Sequence, residues 1–224
     1  MLRPKLSVLP AEQRWLWPRL SEVPAHFVLY GGTSIALRLG HRESVDYDFF
    51  SAQAFDPDEL VRQISFLGLP KTVSQSQRNT YTAALRHAQG EAKVSFFGEI
   101  GFGQFIPPDC CADIGLKIAS LEDMLAMKLK VIHQRVAAKD YLDIAALLRA
   151  GLSLAEGLGR LEAMFPDTVN LAMTLQTLVY FKGEDLDKLP AETRTTLIEA
   201  VRRVREVPPF SGTRMPIGTV PAPE

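Results

Sequence analysis

The sequence predicts an α+β fold: an N-terminal mixed sheet flanked by helices, followed by a C-terminal helical bundle. Two patterns carry this expectation. Up to about residue 118, stretches rich in β-branched and aromatic residues alternate with short helical segments. Beyond the Pro107-Pro108 loop and the short apolar stretch "DIGLKIA", apolar residues recur at helical spacing in five successive segments. The totals agree, because 224 residues with 46% hydrophobic and 23% charged content can build one large core or two small ones.

Taken in order, "LPAEQRWLWPRL" reads as a short amphipathic helix around Pro18, and "HFVLYGG" as a buried strand ending in a turn. "TSIALRLG" is helical and stops at Gly40, and "SVDYDFF" reads as a strand. In "DPDELVRQISFLG", Asp56 is placed to cap a helix, Pro57 fits its first turn and Gly68 ends it. "KTVSQSQ", "TYTAALRHA" and "EAKVSFFGEI" read as strands, the last two joined by a turn at Gln89-Gly90. Ser120 with Asp123 three residues on marks the start of the first C-terminal helix. The boundaries expected are an α/β domain over 1–118, a helical domain over 119–206 that completes the site, and a loose Pro/Gly-rich tail over 207–224.

Several function classes recede on composition. A net charge of −1 argues against a blanket basic surface for nucleic acid, while leaving room for a local patch such as the "EAVRRVREV" face. No apolar run approaches the roughly 20 residues of a membrane span and the first residues lack a signal-peptide core, so a cytoplasmic protein with no membrane partner is expected. The cysteines are the neighbours Cys110 and Cys111, which fit two reduced thiols better than a disulfide framework or a zinc site. Trp15 and Trp17 read as packing residues, and His133 as a surface or interface residue.

Gly31, Gly32 and Thr33 stand between a predicted strand and a predicted helix. Backbone N–H groups at such a turn are donors at the positive end of the helix dipole and can cradle a phosphate. Thr33 adds a hydroxyl that could cap the helix or touch the phosphate. Asp46 and Asp48, two apart on a strand, point to one face and lie side by side. Unpaired, they repel each other, and a divalent cation would relieve that repulsion; magnesium favours such oxygen ligands and bridges them to substrate phosphates. Phe49 and Phe50 suggest that the strand is mostly buried, where unpaired charges are costly.

With these residues side by side, "GGTSIALRLGHRESVDYDFF" resembles the first two motifs of the AbiEii-type toxin family of minimal nucleotidyl transferases, within the DNA polymerase β-like superfamily. "LEDMLAMKLKVIHQRVAAKDYLDIAALL" then supplies Lys128, Arg135, Lys139, Asp140 and Asp143 in the order of that family's remaining motifs, so the resemblance spans roughly residues 27–150. It implies a nucleotidyltransferase-type sheet and the toxin of a toxin–antitoxin or phage-defence pair. The activity implied is transfer of a nucleoside monophosphate from an NTP to an RNA end such as a tRNA, or to a protein hydroxyl. Mg2+ or Mn2+ would be held by Asp46 and Asp48, Lys128 would contact nucleotide phosphates, and Asp140 would support the site. Arg42 would reach phosphate and Ser44 would orient Asp46, although a loop arginine and a strand-entry serine are equally ordinary. Asp143 either supports the site or pairs locally. A DNA-binding antitoxin encoded nearby is the implied partner.

The pattern departs at one position. Superfamily members often carry a third carboxylate on a later strand, which the resemblance places in "KVSFF", where this chain has Ser95. Glu99 lies four residues on, about 13 Å along an extended strand. A nucleotide-binding or antitoxin-binding protein of the same fold with weakened chemistry is therefore the alternative reading.

Overall fold

The computed structural model describes residues 1–88, 90–183 and 185–219. The chain divides into two compact units, one comprising Met1–Ser120 with Met215–Glu224 and the other Leu121–Arg214.

The first unit is built on a seven-stranded mixed sheet in the order β3-β4-β5-β2-β1-β7-β6. Its strands are β1 (Val28–Tyr30), β2 (Asp46–Phe50), β3 (Lys71–Gln77), β4 (Thr80–His87), β5 (Gly90–Phe97), β6 (Asp109–Cys110) and β7 (Lys117–Ile118). β1 and β2 run antiparallel, whereas β2 and β5 run parallel. The helices are α1 (Ala11–Leu16), α2 (Gly31–Leu39) and α3 (Pro57–Gln63). Gln89, half of the expected turn between β4 and β5, lies outside the described residues, as does 220–224 of the expected tail.

One face of the sheet is the core. Leu29, Tyr47, Phe49, Tyr81, Ala83, Val94 and Phe96 pack there against Leu16, Trp17, Leu20, Ala36 and Leu37. Phe49 and Phe96 stack at 5.0 Å, and Phe27 meets Phe96 edge-on at 5.2 Å. β2 is not buried throughout: it alternates, with Tyr47 and Phe49 buried and Asp46, Asp48 and Phe50 half-buried on the opposite face. The doubly aromatic "FF" thus splits between the two faces of the sheet.

Local signals set several helix ends. Gly40 closes α2 in the left-handed conformation at φ 72°, its N–H donating to Ala36 O. Asp56 caps α3, accepting from the N–H groups of Asp58 and Glu59 at 2.9 and 3.1 Å. Two helices are shorter than expected. α1 gives way at Trp17 to a 3-10 segment through Glu22, which contains Pro18, and α3 ends at Gln63 before a 3-10 turn over Ser65–Gly68. That turn carries Phe66 and Leu67 into the core.

The tail also differs from a loose extension in its described part. Met215 exchanges backbone hydrogen bonds with Gln104 at 2.8 Å, Lys117 Nζ donates to Gly218 O at 2.8 Å, and Ile217 is 2% exposed. An apolar side chain and a paired backbone hold this proline- and glycine-rich stretch where composition alone suggested freedom.

The second unit is helical, with α4 (Leu121–Val131), α5 (Ala138–Arg149), α6 (Leu154–Met164), α7 (Leu171–Leu178) and α8 (Ala191–Arg203). Leu125 and Leu129 of α4, Ile144 and Leu147 of α5, Leu158 and Leu161 of α6 and Leu197 of α8 are all buried. Helices α4 and α6 approach closely at Gly157, where a Cβ would lie 2.6 Å from Leu125 Cδ2.

Candidate active site

The glycine turn and the aspartate pair meet in the first unit. α2 opens directly after β1, with Gly31 at φ +74° and Tyr30 at the N-cap supplying no side-chain cap. First-turn N–H groups of a helix have no intrahelical acceptors, so this end presents donors and the positive pole of the helix dipole. Tyr30 pairs across the ladder with Asp48, which sets the start of α2 beside the second aspartate. A Cβ at Gly31 would come within 2.9 Å of Asp48 Oδ2. Glycine here therefore serves the positive φ and the close approach of a carboxylate at once.

Thr33 is 2% exposed and turns into the protein. Its hydroxyl donates to the backbone carbonyl of Asp46, while the hydroxyls of Thr33 and Ser44 lie 2.7 Å apart, so Ser44 is placed to donate to Thr33 Oγ1. The expectation that Thr33 caps the helix or touches phosphate gives way to a different use, since that hydroxyl fixes the strand carrying Asp46. Ser44 acts on Asp46 through Thr33 and the backbone, not by a direct bond to the carboxylate. Gln13, which the sequence did not flag, supports the same strand: its side-chain amide donates to Val45 O, and Tyr47 Oη donates to Gln13 O at 3.0 Å. Arg42 donates to Glu43 O at 2.8 Å in the loop before β2. Arg38 holds the far side of α2, reaching Asp109 Oδ2 at 2.7 Å and the carbonyls of Ile118 and Ala119 at 3.0 and 2.8 Å.

Asp46 and Asp48 do share a face, as the spacing predicts, but Asp46 is not unpaired. Lys93 Nζ stands 3.5 Å from its Oδ1. The cause is strand register: β2 and β5 run parallel with Asp46 opposite Lys93 and Asp48 opposite Ser95. Ser95, 3% exposed, thus occupies the place on the neighbouring strand from which a third carboxylate would face Asp48. Glu99 does not replace it. It follows the end of β5 at φ 53°, accepts a hydrogen bond from Asn79 Nδ2 and lies 3.7 Å from Arg78 Nη2. Among the described residues, no group of three or more His, Cys, Asp or Glu side chains is placed to hold a metal ion. The pair Asp46 and Asp48 nevertheless offers hard oxygen donors on one face beside a backbone that lacks a Cβ, which fits a magnesium-type ion supported by substrate phosphates.

Lys128, Asp140 and Asp143 come together in the second unit as a buried cluster. Lys128 Nζ lies 2.7 Å from both Asp140 Oδ1 and Asp143 Oδ2, with its side chain 5% exposed and both aspartates at 0%. Arg135 donates to both Asp140 oxygens at 2.9 and 3.2 Å. Burial alone pushes the Asp140 carboxyl up, but the Arg135 hydrogen bonds and the Lys128 ammonium outweigh it and hold it below its ordinary range. Asp143 is therefore a partner of Lys128, and the "KDYLD" spacing puts both acids on one side of α5. His133 bonds Thr174 Oγ1 at 2.7 Å, and Trp17 Nε1 donates to Asp113 Oδ2 at 2.8 Å, so both serve packing.

A glycine turn opening a helix beside a strand with alternate aspartates, within a mixed sheet followed by helices, defines the nucleotidyltransferase class. A family model for the nucleotidyl transferase AbiEii toxins of type IV toxin–antitoxin systems matches residues 15–212, and the chain belongs to that family. It is 34% identical over 159 residues to an uncharacterized protein of Aquifex aeolicus, covering 70% of this chain and 74% of that one. The fold is shared with a candidate nucleotidyltransferase from H. pylori, with a TM-score of 0.57 and 17% identity over 86% of this chain and 94% of the other. It is also shared with MenT4, a nucleotidyltransferase toxin from Mycobacterium tuberculosis, with a TM-score of 0.55 and 18% identity over 87% and 86%. No helix among the described residues is long and apolar enough to cross a membrane.

Proposed function

We propose that this toxin-family nucleotidyltransferase moves a nucleoside monophosphate from an NTP to an acceptor hydroxyl, on an RNA end such as a tRNA or on a protein, with Mg2+ or Mn2+. The observation that supports it best is the placement of Asp46 and Asp48 on one face of β2, with Asp48 against the start of α2 at Gly31. In this reading the first-turn N–H groups at Gly31, Gly32 and Thr33 bind the triphosphate, and Arg42 adds a cation in the adjacent loop. Asp46 and Asp48 hold the metal ion, which when bound neutralises phosphate charge and orients an in-line displacement. The acceptor oxygen bonds to the α-phosphorus as pyrophosphate leaves, and the hydroxyl proton passes to solvent.

Lys128 and Asp140 enter this reading as positioning groups. The Lys128 ammonium is committed to two carboxylates, and the cluster ties α4 to α5. Ser95 opposite Asp48 favours a second reading, nucleotide binding with little turnover. Purified protein incubated with each labelled NTP, Mg2+ and total RNA separates the two. Label on RNA or protein from at least one nucleotide supports the enzyme, while calorimetric NTP binding without label supports the second reading. An antitoxin gene beside this one is the expected partner.

A further inference from the structure

We infer that Ser95 and Thr82 bind the two hydroxyls of a terminal ribose and so select an RNA 3′ end as the acceptor. This rests on the proposed reading of the Asp46 and Asp48 face as the transfer site. The sheet register sets three residues in one row: Asp48 faces Ser95 across the parallel β2–β5 ladder, and Ser95 faces Thr82 across the antiparallel β4–β5 ladder. Residues directly opposed on neighbouring strands share a face, at steps of about 4.8 Å. The row therefore runs outward from the proposed metal pair, Ser95 first and Thr82 second.

Both hydroxyls are placed to serve a ligand. Ser95 is 3% exposed and Thr82 7%, yet among the described residues neither side chain has a hydrogen-bond partner, and neither oxygen is sealed from the surface. Other buried hydroxyls of the same unit are committed: Thr33 to Ser44 and the Asp46 carbonyl, Ser34 to Gly31 O, and Ser51 to His26. A buried hydroxyl without a partner is costly, so native proteins pair most of them and use many of the rest. A hydroxyl both donates and accepts. With hydrogen bonds of about 2.8 Å, two of them one strand apart span hydroxyls on adjacent carbons. A terminal ribose presents such a pair, whereas a serine, threonine or tyrosine acceptor brings one hydroxyl and leaves the other site unmatched. In this arrangement Ser95 accepts from the 3′-hydroxyl, whose oxygen bonds to the α-phosphorus as pyrophosphate leaves and whose proton passes to solvent. Thr82 bonds the neighbouring 2′-hydroxyl, the group that distinguishes RNA from DNA.

Transfer from each labelled NTP by the full chain, with Mg2+ and two tRNA pools, tests this. The pools differ only in the last nucleotide, which carries ribose in one and 2′-deoxyribose in the other, with a free 3′-hydroxyl in both. Wild type is expected to use the ribose pool better in kcat/KM by about tenfold, the worth of one good hydrogen bond. Thr82→Val, which keeps the shape, should bring the two pools close to equality, and Thr82→Ser should keep the preference. Ser95→Ala should raise the KM for tRNA more than the KM for NTP. Equal use of the two pools by wild type, a preference that survives in Thr82→Val, or label on protein and not on RNA would overturn the inference. So would a Thr82→Val that loses a preference for NTP over its 2′-deoxy form, since the pair would then hold the nucleotide. The wild-type comparison needs no variant, so it decides even where a buried substitution fails to fold. If wild type labels RNA and the pools are used equally, only the roles of Ser95 and Thr82 are wrong; if it labels nothing, the transfer reading falls with them.

Discussion

The space that a Gly31 side chain would fill belongs to the Asp48 carboxylate, whose Oδ2 would lie 2.9 Å from a Cβ built there. With Gly31 also at φ +74°, alanine meets two penalties at once. The left-handed conformation costs about 1–2 kcal/mol for a residue with a Cβ, and the carboxylate must move. Gly31→Ala is therefore expected to lower the denaturant midpoint and to reduce nucleotidyl transfer by more than the loss of folded protein explains. Measuring folded fraction and transfer rate on one preparation checks this.

Thr33→Val keeps shape and removes the hydroxyl that links Ser44 to the Asp46 carbonyl. A buried partner left unsatisfied costs about 1–3 kcal/mol. Urea unfolding should show that loss for Thr33→Val and most of the stability regained by Thr33→Ser.

Lys128→Met would leave Asp140 and Asp143 buried without their shared cation. Removing one partner of a buried ion pair costs about 3–5 kcal/mol, a large share of a domain's stability. Asp140→Asn would weaken the anchor that Lys128 and Arg135 share, and Asp143→Asn would remove one of the two carboxylates that hold Lys128. Thermal unfolding of the three variants ranks them.

The same cluster predicts an acid limit. The folded Asp140 carboxyl is held below its ordinary 3.8, so its contribution to stability is present above about pH 4 and is lost as pH falls through the lower folded value. Unfolding free energy measured from pH 6 to pH 3 should decline, with a shallower slope in Asp140→Asn. An identical slope in the variant would show that other acids set the limit.

Much of this was legible in the chain because it is local. Gly40 ends α2 and Asp56 caps α3 through contacts a few residues apart. Alternation along β2 places Asp46 and Asp48 together for the same reason. What pairing over longer distances decides was not legible. Nothing in "KVS" reveals that β5 lies parallel to β2, so Lys93 beside Asp46 was missed, although its two-residue spacing from Ser95 mirrors that of the aspartates. The order Lys128, Asp140, Asp143 pointed to a site, but their burial as one charge cluster depends on how α4 and α5 pack. In sequence the Thr33 hydroxyl reads as a cap or a phosphate contact, and only the return of the chain at Ser44 shows that it faces in.

The most direct test of the central claim is label transfer from NTP in the presence of Mg2+, comparing wild type with Asp46→Asn plus Asp48→Asn. Both carboxylates lie on the half-buried face of β2, so the amides should leave the fold intact, which circular dichroism verifies. Transfer by wild type and a loss of at least about a thousandfold in the folded double variant is the expected result, in line with the large share of catalysis carried by groups that stabilise transferring charge. Transfer by the folded double variant at the wild-type rate would contradict it.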